Sequence, residues 1–214
     1  MTARFELEVT GQILTGSFPS SVSATTLSYS VLPANQDDWS HDSGEASGIS
    51  PKSHSSTNQF VYNLPISCGF SSSTPFGWPR LVVTVFESDW RGRDVILGYG
   101  TTVVPSQPGR HSREVWLFAP AAKSWWEQLV NWVSGQRPML TNPLTFLTRS
   151  QPNRDKVITV PTYSSIRVEF NISITNAEKL NLHFGYRYFL SWNPKSLSGN
   201  AQDILQGAVQ LRLC

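Results

Sequence analysis

The sequence predicts an all-β fold, an antiparallel β-sandwich of about eight short strands with one inserted amphipathic helix. Three observations point to it. Apolar residues recur at every second position over long stretches, the pattern of strands that bury one face. Clusters of Gly, Pro, Ser and Asn divide these stretches into short units. The long helical crossovers that parallel strands require are missing.

The elements follow in order. Phe5, Leu7 and Val9 begin the alternation, and Leu27, Tyr29 and Val31 repeat it with Ser28 and Ser30 on the opposite face. Phe60, Tyr62 and Leu64 lead into Ile66, Cys68 and Phe70, with Pro65 between them marking a break or an edge position. Leu81 to Phe86 is β-branched and apolar on both faces, as expected for a central strand covered from both sides. Val95 to Leu97 through Val103 and Val104, and then Val115 to Phe118, supply two more strands. Ile166, Val168, Phe170, Ile172 and Ile174 form the last, which directs Arg167, Glu169, Asn171 and Ser173 to solvent or a partner.

One helix interrupts the pattern. Ser124-Trp125-Trp126-Glu127 is a capping box, in which Ser and Glu satisfy free amide groups, and Gly135 provides a left-handed stop before Pro138. Trp125, Trp126, Leu129, Val130, Trp132 and Val133 recur at helical spacing and give a broad apolar face. That face is expected to pack on the sandwich, and its three indoles also suit a partner surface. Residues 33–58 are rich in Ser, Asp, Gly and His and read as a long mobile loop. The sandwich domain is expected over residues 1–180. Residues 181–214 form a C-terminal extension that reads equally as a short helix or an added strand.

The 214 residues suit a single β-sandwich with extra segments. Charged residues make up only 15% of the chain while aromatic residues reach 12%, so the surface exposes more neutral polar and aromatic area than usual. That favours a protein with partners. A net charge of +2 with scattered basic residues excludes the clustered footprint of a nucleic-acid binder. The first residues, Arg4-Phe5-Glu6-Leu7-Glu8, place charges where a secretory signal needs its apolar region, so the folded domain is expected to begin there. No apolar run approaches the roughly 20 residues of a membrane-crossing helix. Cys68 and Cys214 lie far apart, which fits a reducing cytosolic compartment better than a disulfide scaffold.

The candidates for chemistry are few. His41, His54, His111 and His183 lack metal-binding spacing to one another or to Cys, and no phosphate loop, nucleophile elbow or His-Glu-x-x-His helix occurs. Cys68 sits in an alternating apolar strand and reads as a core thiol. Neither catalysis nor a cofactor is expected. Glu87, Asp89 and Asp94 form one acidic cluster, but Arg91 and Arg93 intrude on it, and a solvated turn fits better than a calcium site. Three groups remain as candidate contacts with a partner or a membrane: Trp90, Arg91 and Arg93 on one loop; Arg110 and His111 on a turn; and Trp125, Trp126 and Trp132 on the helix. Two Arg residues contribute only about 2 kcal/mol toward an anionic membrane, so contact there is expected to be weak and peripheral.

Several unusual groupings recur in a fixed order. They are Gly11-Gln12-Ile13, Pro75-Phe76-Gly77-Trp78-Pro79, Gly98-Tyr99-Gly100 and Pro108-Gly109-Arg110-His111, followed by Gly135-Gln136-Arg137-Pro138, Asn142-Pro143 and Val168-Glu169-Phe170-Asn171. That order resembles the B9 domain family, over most of the chain but not over residues 40–57 or beyond about 179. The resemblance implies a C2-like sandwich that serves as a non-enzymatic scaffold subunit of the Meckel syndrome-type, tectonic-like complex at the ciliary transition zone. It also implies roles in cilium assembly and in gating of ciliary membrane proteins. The implied partners are other B9-domain proteins and transition-zone membrane proteins, and the implied location is cytoplasm and cytoskeleton at the base of the cilium, the basal body and transition zone. A peripheral C2-like lipid-binding module acting alone is the alternative.

Overall fold

A computed structural model describes residues 3–19, 21, 24–88, 91–120, 140, 143–148, 159–180 and 182. Nine strands account for most of them: β1 (Phe5–Ser17), β2 (Thr25–Leu32), β3 (Trp39–Glu45), β4 (Ser47–Ile49), β5 (Gln59–Ser72), β6 (Arg80–Ser88), β7 (Asp94–Val103), β8 (Gly109–Pro120) and β9 (Thr159–Thr175). One short helix, α1 (Pro143–Thr148), and a 3-10 turn at Ala177–Leu180 are the helical elements among these residues. The helix expected over 124–135 lies outside the described residues, as does the extension from 183.

The strands hydrogen-bond in the order β3-β5-β1-β9-β8-β7-β6-β2-β4, with every pairing antiparallel. The join between β7 and β8 is narrow, held by Tyr99 opposite Phe118 and Gly100 opposite Leu117. It divides the order into a five-stranded half, β3 to β8, and a four-stranded half, β7 to β4. One core takes side chains from both halves, Phe5, Leu7, Val9, Phe60, Val168 and Phe170 from the first and Leu27, Val31, Leu81, Val83 and Val85 from the second. Two sheets that share one core are the layers of a sandwich. Hydroxyls also bridge them, through Thr25 Oγ1 and Tyr62 Oη at 2.6 Å and through Tyr29 Oη, which donates to the Pro65 carbonyl at 3.1 Å.

The alternations appear at the expected positions. Pro65 does not break β5; it pairs with Gln12 of β1 beyond the point where β3 ends opposite Ser67, which makes it an edge position. β6 is central and covered on both faces: Leu81, Val83 and Val85 enter the shared core, while Val82 joins Ile96, Tyr99 and Leu147 in a second cluster.

Residues 33–58 depart from expectation. Instead of one long loop they contain β3 and β4, which lie at opposite ends of the strand order. Edge strands face water along most of their length, so they need little apolar content, and the usual strand signal is absent. One residue anchors β3. The Trp39 ring is buried edge-on against Phe5 and Trp78, and its Nε1 donates to the Phe76 carbonyl at 2.7 Å. Buried Ser50 ties the next stretch to β2, its Oγ accepting from Leu27 N at 2.9 Å.

Candidate interaction surface

The distinctive sequence groupings do structural work first. Gly77 adopts a φ of +72°, and a Cβ there would stand 2.8 Å from Asn35 N, so the turn that receives Ala34 N on the Gly77 carbonyl excludes larger residues. Trp78 stacks on Phe5 and donates from Nε1 to the Val104 carbonyl at 2.8 Å. At Gly100 a Cβ would press on Leu117 Cδ2 at 2.7 Å and Val115 Cγ1 at 2.9 Å, which is how β8 comes close enough to join the halves. Gly98 stands where the β6–β7 register shifts, so this motif combines a bulge with a close approach. Tyr99 between them is buried, and its Oη accepts from Leu140 N at 3.3 Å.

Burial holds two interior groups, the Cys68 thiol and the Tyr62 phenol, in their neutral forms. Burial pushes the Cys68 thiol up to about 12, and the same cause pushes the Tyr62 phenol up to about 12 against the opposing hydrogen bond with Thr25. A thiol so placed is a core group rather than a nucleophile. The two described members of the acidic cluster sit in different surroundings. Glu87 is buried, contrary to the solvated turn expected, because β6 is central at that point and Ser21 Oγ donates to Glu87 Oε1 at 2.7 Å. Asp94 is exposed, accepts from Ser88 Oγ at 3.3 Å and pairs with Lys52 at 3.6 Å. Asp89 lies outside the described residues. No group of metal-ligating side chains forms among those described.

The candidate contact residues divide. Arg91 and Arg93 are exposed on the turn between β6 and β7. Trp90, Trp125, Trp126 and Trp132 lie outside the described residues. Arg110 and His111 follow Gly109, the first residue of β8, whose φ is +113°. The Arg110 guanidinium donates to Glu169 at 2.6 Å, and that hydrogen bond, with the adjacent charge, raises its pKa further. His111 Nε2 lies 2.8 Å from the Gln107 carbonyl. Arg110 thus extends over β9 on the outer face of the five-stranded sheet.

That outer face holds residues the sequence pattern did not single out. Trp116 is 63% exposed and Tyr163 79% exposed, and both line a shallow cavity of about 360 Å³ with Gln59, Glu114, Ser165 and Arg167. Tyr163 has a φ of +53°, a left-handed value that is uncommon for a bulky aromatic. A second cavity of about 310 Å³ lies toward the other end of β1 and β9, lined by Glu6, Glu8, Asp42, Gly69 and Phe70 among others. The direction of Trp116 was available in the sequence, since Val115 and Leu117 point into the core and the residue between them must point out. The exposed Tyr163 has no comparable signal, because the alternation begins only at Ile166.

A family model, B9-C2, described as "Ciliary basal body-associated, B9 protein", matches residues 7–173, from β1 into β9. B9 domain-containing protein 1 of Xenopus laevis is 33% identical over 190 residues, covering 87% of this chain and 93% of that protein. B9 domain-containing protein 2 of Rattus norvegicus is 35% identical over 103 residues, 48% of this chain and 58% of that protein. Among solved structures, a C2 domain of a plant extended synaptotagmin 1 is matched over 78% of this chain and 93% of its own, at 11% identity and a TM-score of 0.39.

Proposed function

This chain belongs to the B9-C2 family, and from that membership we propose that it is a non-enzymatic scaffold subunit of the Meckel syndrome-type, tectonic-like complex at the ciliary transition zone. In this reading it contributes to cilium assembly and to the gate that controls entry of membrane proteins. Its partners are other B9-domain proteins and transition-zone membrane proteins, and it resides at the base of the cilium.

The observation that carries the reading is the extent of the family match. It spans 7–173, which includes every buried residue of the shared core except Phe5, and the family is described as basal body-associated. Two features of the molecule support it. The Cys68 thiol is buried among core side chains, where burial keeps it protonated and it serves packing. The outer face of the five-stranded sheet presents exposed aromatic and charged side chains, the composition of a contact surface.

The test is the position of a tagged copy expressed at native level in ciliated cells, combined with co-purification. A focused signal between basal-body and axoneme markers, with other B9-domain proteins recovered on the tag, is the expected result. A general membrane signal with no B9 partner recovered would favour a lone lipid-binding module, with exposed Arg91 and Arg93 as its first contacts.

A further inference from the structure

The strand order ends on one side at β3, and no strand lies along its outer edge among the described residues. His41 to Glu45 are all exposed. Such an edge offers a row of backbone N–H and C=O groups to any extended chain that can approach it. The opposite end of the order, β4, has three residues and offers little.

Charge selects what can approach. Residues 1–72 carry Glu6, Glu8, Asp37, Asp38, Asp42 and Glu45 against only Arg4 and Lys52, and Lys52 is drawn to Asp94 of β7. Asp42 and Glu45 stand on the edge strand itself. Beside it, the cavity of about 310 Å³ is walled by Glu6, Glu8 and Asp42 with no Lys or Arg in its lining. A second copy pairing β3 to β3 would set these carboxylates against their own kind, which is unfavourable across strands. A cationic strand meets the opposite situation. The bulge between His41 and Ser43 and the left-handed Gly44, φ +76°, interrupt the edge, so it suits a short added strand.

We propose that the edge of β3 left open by the described residues docks an extended, Lys- or Arg-bearing segment of a partner protein by strand addition. An added strand lies about 4.8 Å from β3, so its cations meet Asp42 and Glu45 directly. Glu6 and Glu8 on β1 stand two strand spacings behind β3, roughly 10 Å and beyond a Debye length of about 8 Å at physiological salt. The edge pair therefore dominates.

The proposal rests on the scaffold reading for the existence of a partner, but the experiment reads the edge alone, so either can fail without the other. The full chain is titrated with an eight-residue peptide alternating lysine with valine and threonine, and amide hydrogen exchange and affinity are followed. Protection gained at residues 41–45 is expected. The Asp42→Asn/Glu45→Gln variant should lose about tenfold in affinity, and Glu6→Gln/Glu8→Gln less than about threefold. These substitutions are on exposed side chains and leave the core intact. Absence of binding, protection confined to another surface, or equal binding of the same peptide with glutamate in place of lysine would overturn the proposal. Protection of 41–45 that grows with protein concentration and needs no peptide would assign the edge to a second copy, and would overturn it too.

Discussion

The two sheets share a core but differ in what lies on their outer faces. On the four-stranded sheet, Val82, Ile96 and Tyr99 face outward and are covered by Leu147 of α1, with Leu140 packed alongside. On the five-stranded sheet, β9 and β8 direct Arg167, Glu169, Arg110 and Trp116 outward, and no described element lies over them. The sequence pattern of each sheet explains the difference. β6 is apolar on both sides, and an uncovered Val82 and Ile96 would leave a hydrophobic face in water. From Ile166 onward β9 alternates strictly and is stable with one side wet. The covered face is committed to the fold, and the other is left uncovered by the described residues.

The strongest way to break the comparison is to damage the five-stranded sheet from within. Gly11 lies in the middle of β1, paired with Ile66 on one side and Phe170 on the other. A Cβ there would overlap the Glu169 carbonyl oxygen, which is main chain and cannot swing aside. Gly11→Ala should therefore destabilise by roughly 3 kcal/mol or more, read as a lower denaturation midpoint at unchanged slope. A loss below about 1 kcal/mol would mean that β1 and β9 are less closely apposed than the structure shows.

A smaller, local effect is expected on the other face. Leu147→Ala removes a buried side chain from a small satellite cluster, at a cost of about 2 kcal/mol, the low end for such truncations because a short helix can settle into the space. The amides of α1 should exchange faster while those of β1 and β9 keep their protection. Equal acceleration in all three would show that the cover and the core are one cooperative unit.

These elements also show how far the sequence reaches. Strands that feed the core were legible because burial imposes a period of two on them, and the same signal marked β6 as covered on both faces. β3 and β4 were not legible, since an edge strand held by one Trp and a few hydroxyls has no repeating apolar side. Glu87 reads as a turn residue by composition. Only the fold shows that Ser21, distant in sequence, meets it in the interior. The Arg110 turn was legible as an exposed position, but its pairing with Glu169 depends on a register that sets Arg110 beside Asn171, and register is a property of the assembled sheet.

The smallest effect tests whether the five-stranded face is open at all. Trp116 and Tyr163 are among the most exposed large side chains described, and an indole covered by nothing contributes little to folding. Trp116→Ser combined with Tyr163→Ser should leave stability within about 0.5 kcal/mol of the parent chain, since surface substitutions away from caps and buried polar groups rarely do more. Tyr163 sharpens the expectation, because its φ of +53° is strained for an aromatic and a smaller residue tolerates it no worse. The check is a thermal or denaturant midpoint together with fluorescence quenching of the parent by an aqueous quencher. A cost above about 1.5 kcal/mol would place both rings under a cover, and the contrast between the two faces would fail. An unchanged midpoint leaves two large aromatics that the fold does not need, on the face where a contact with another protein has room to form.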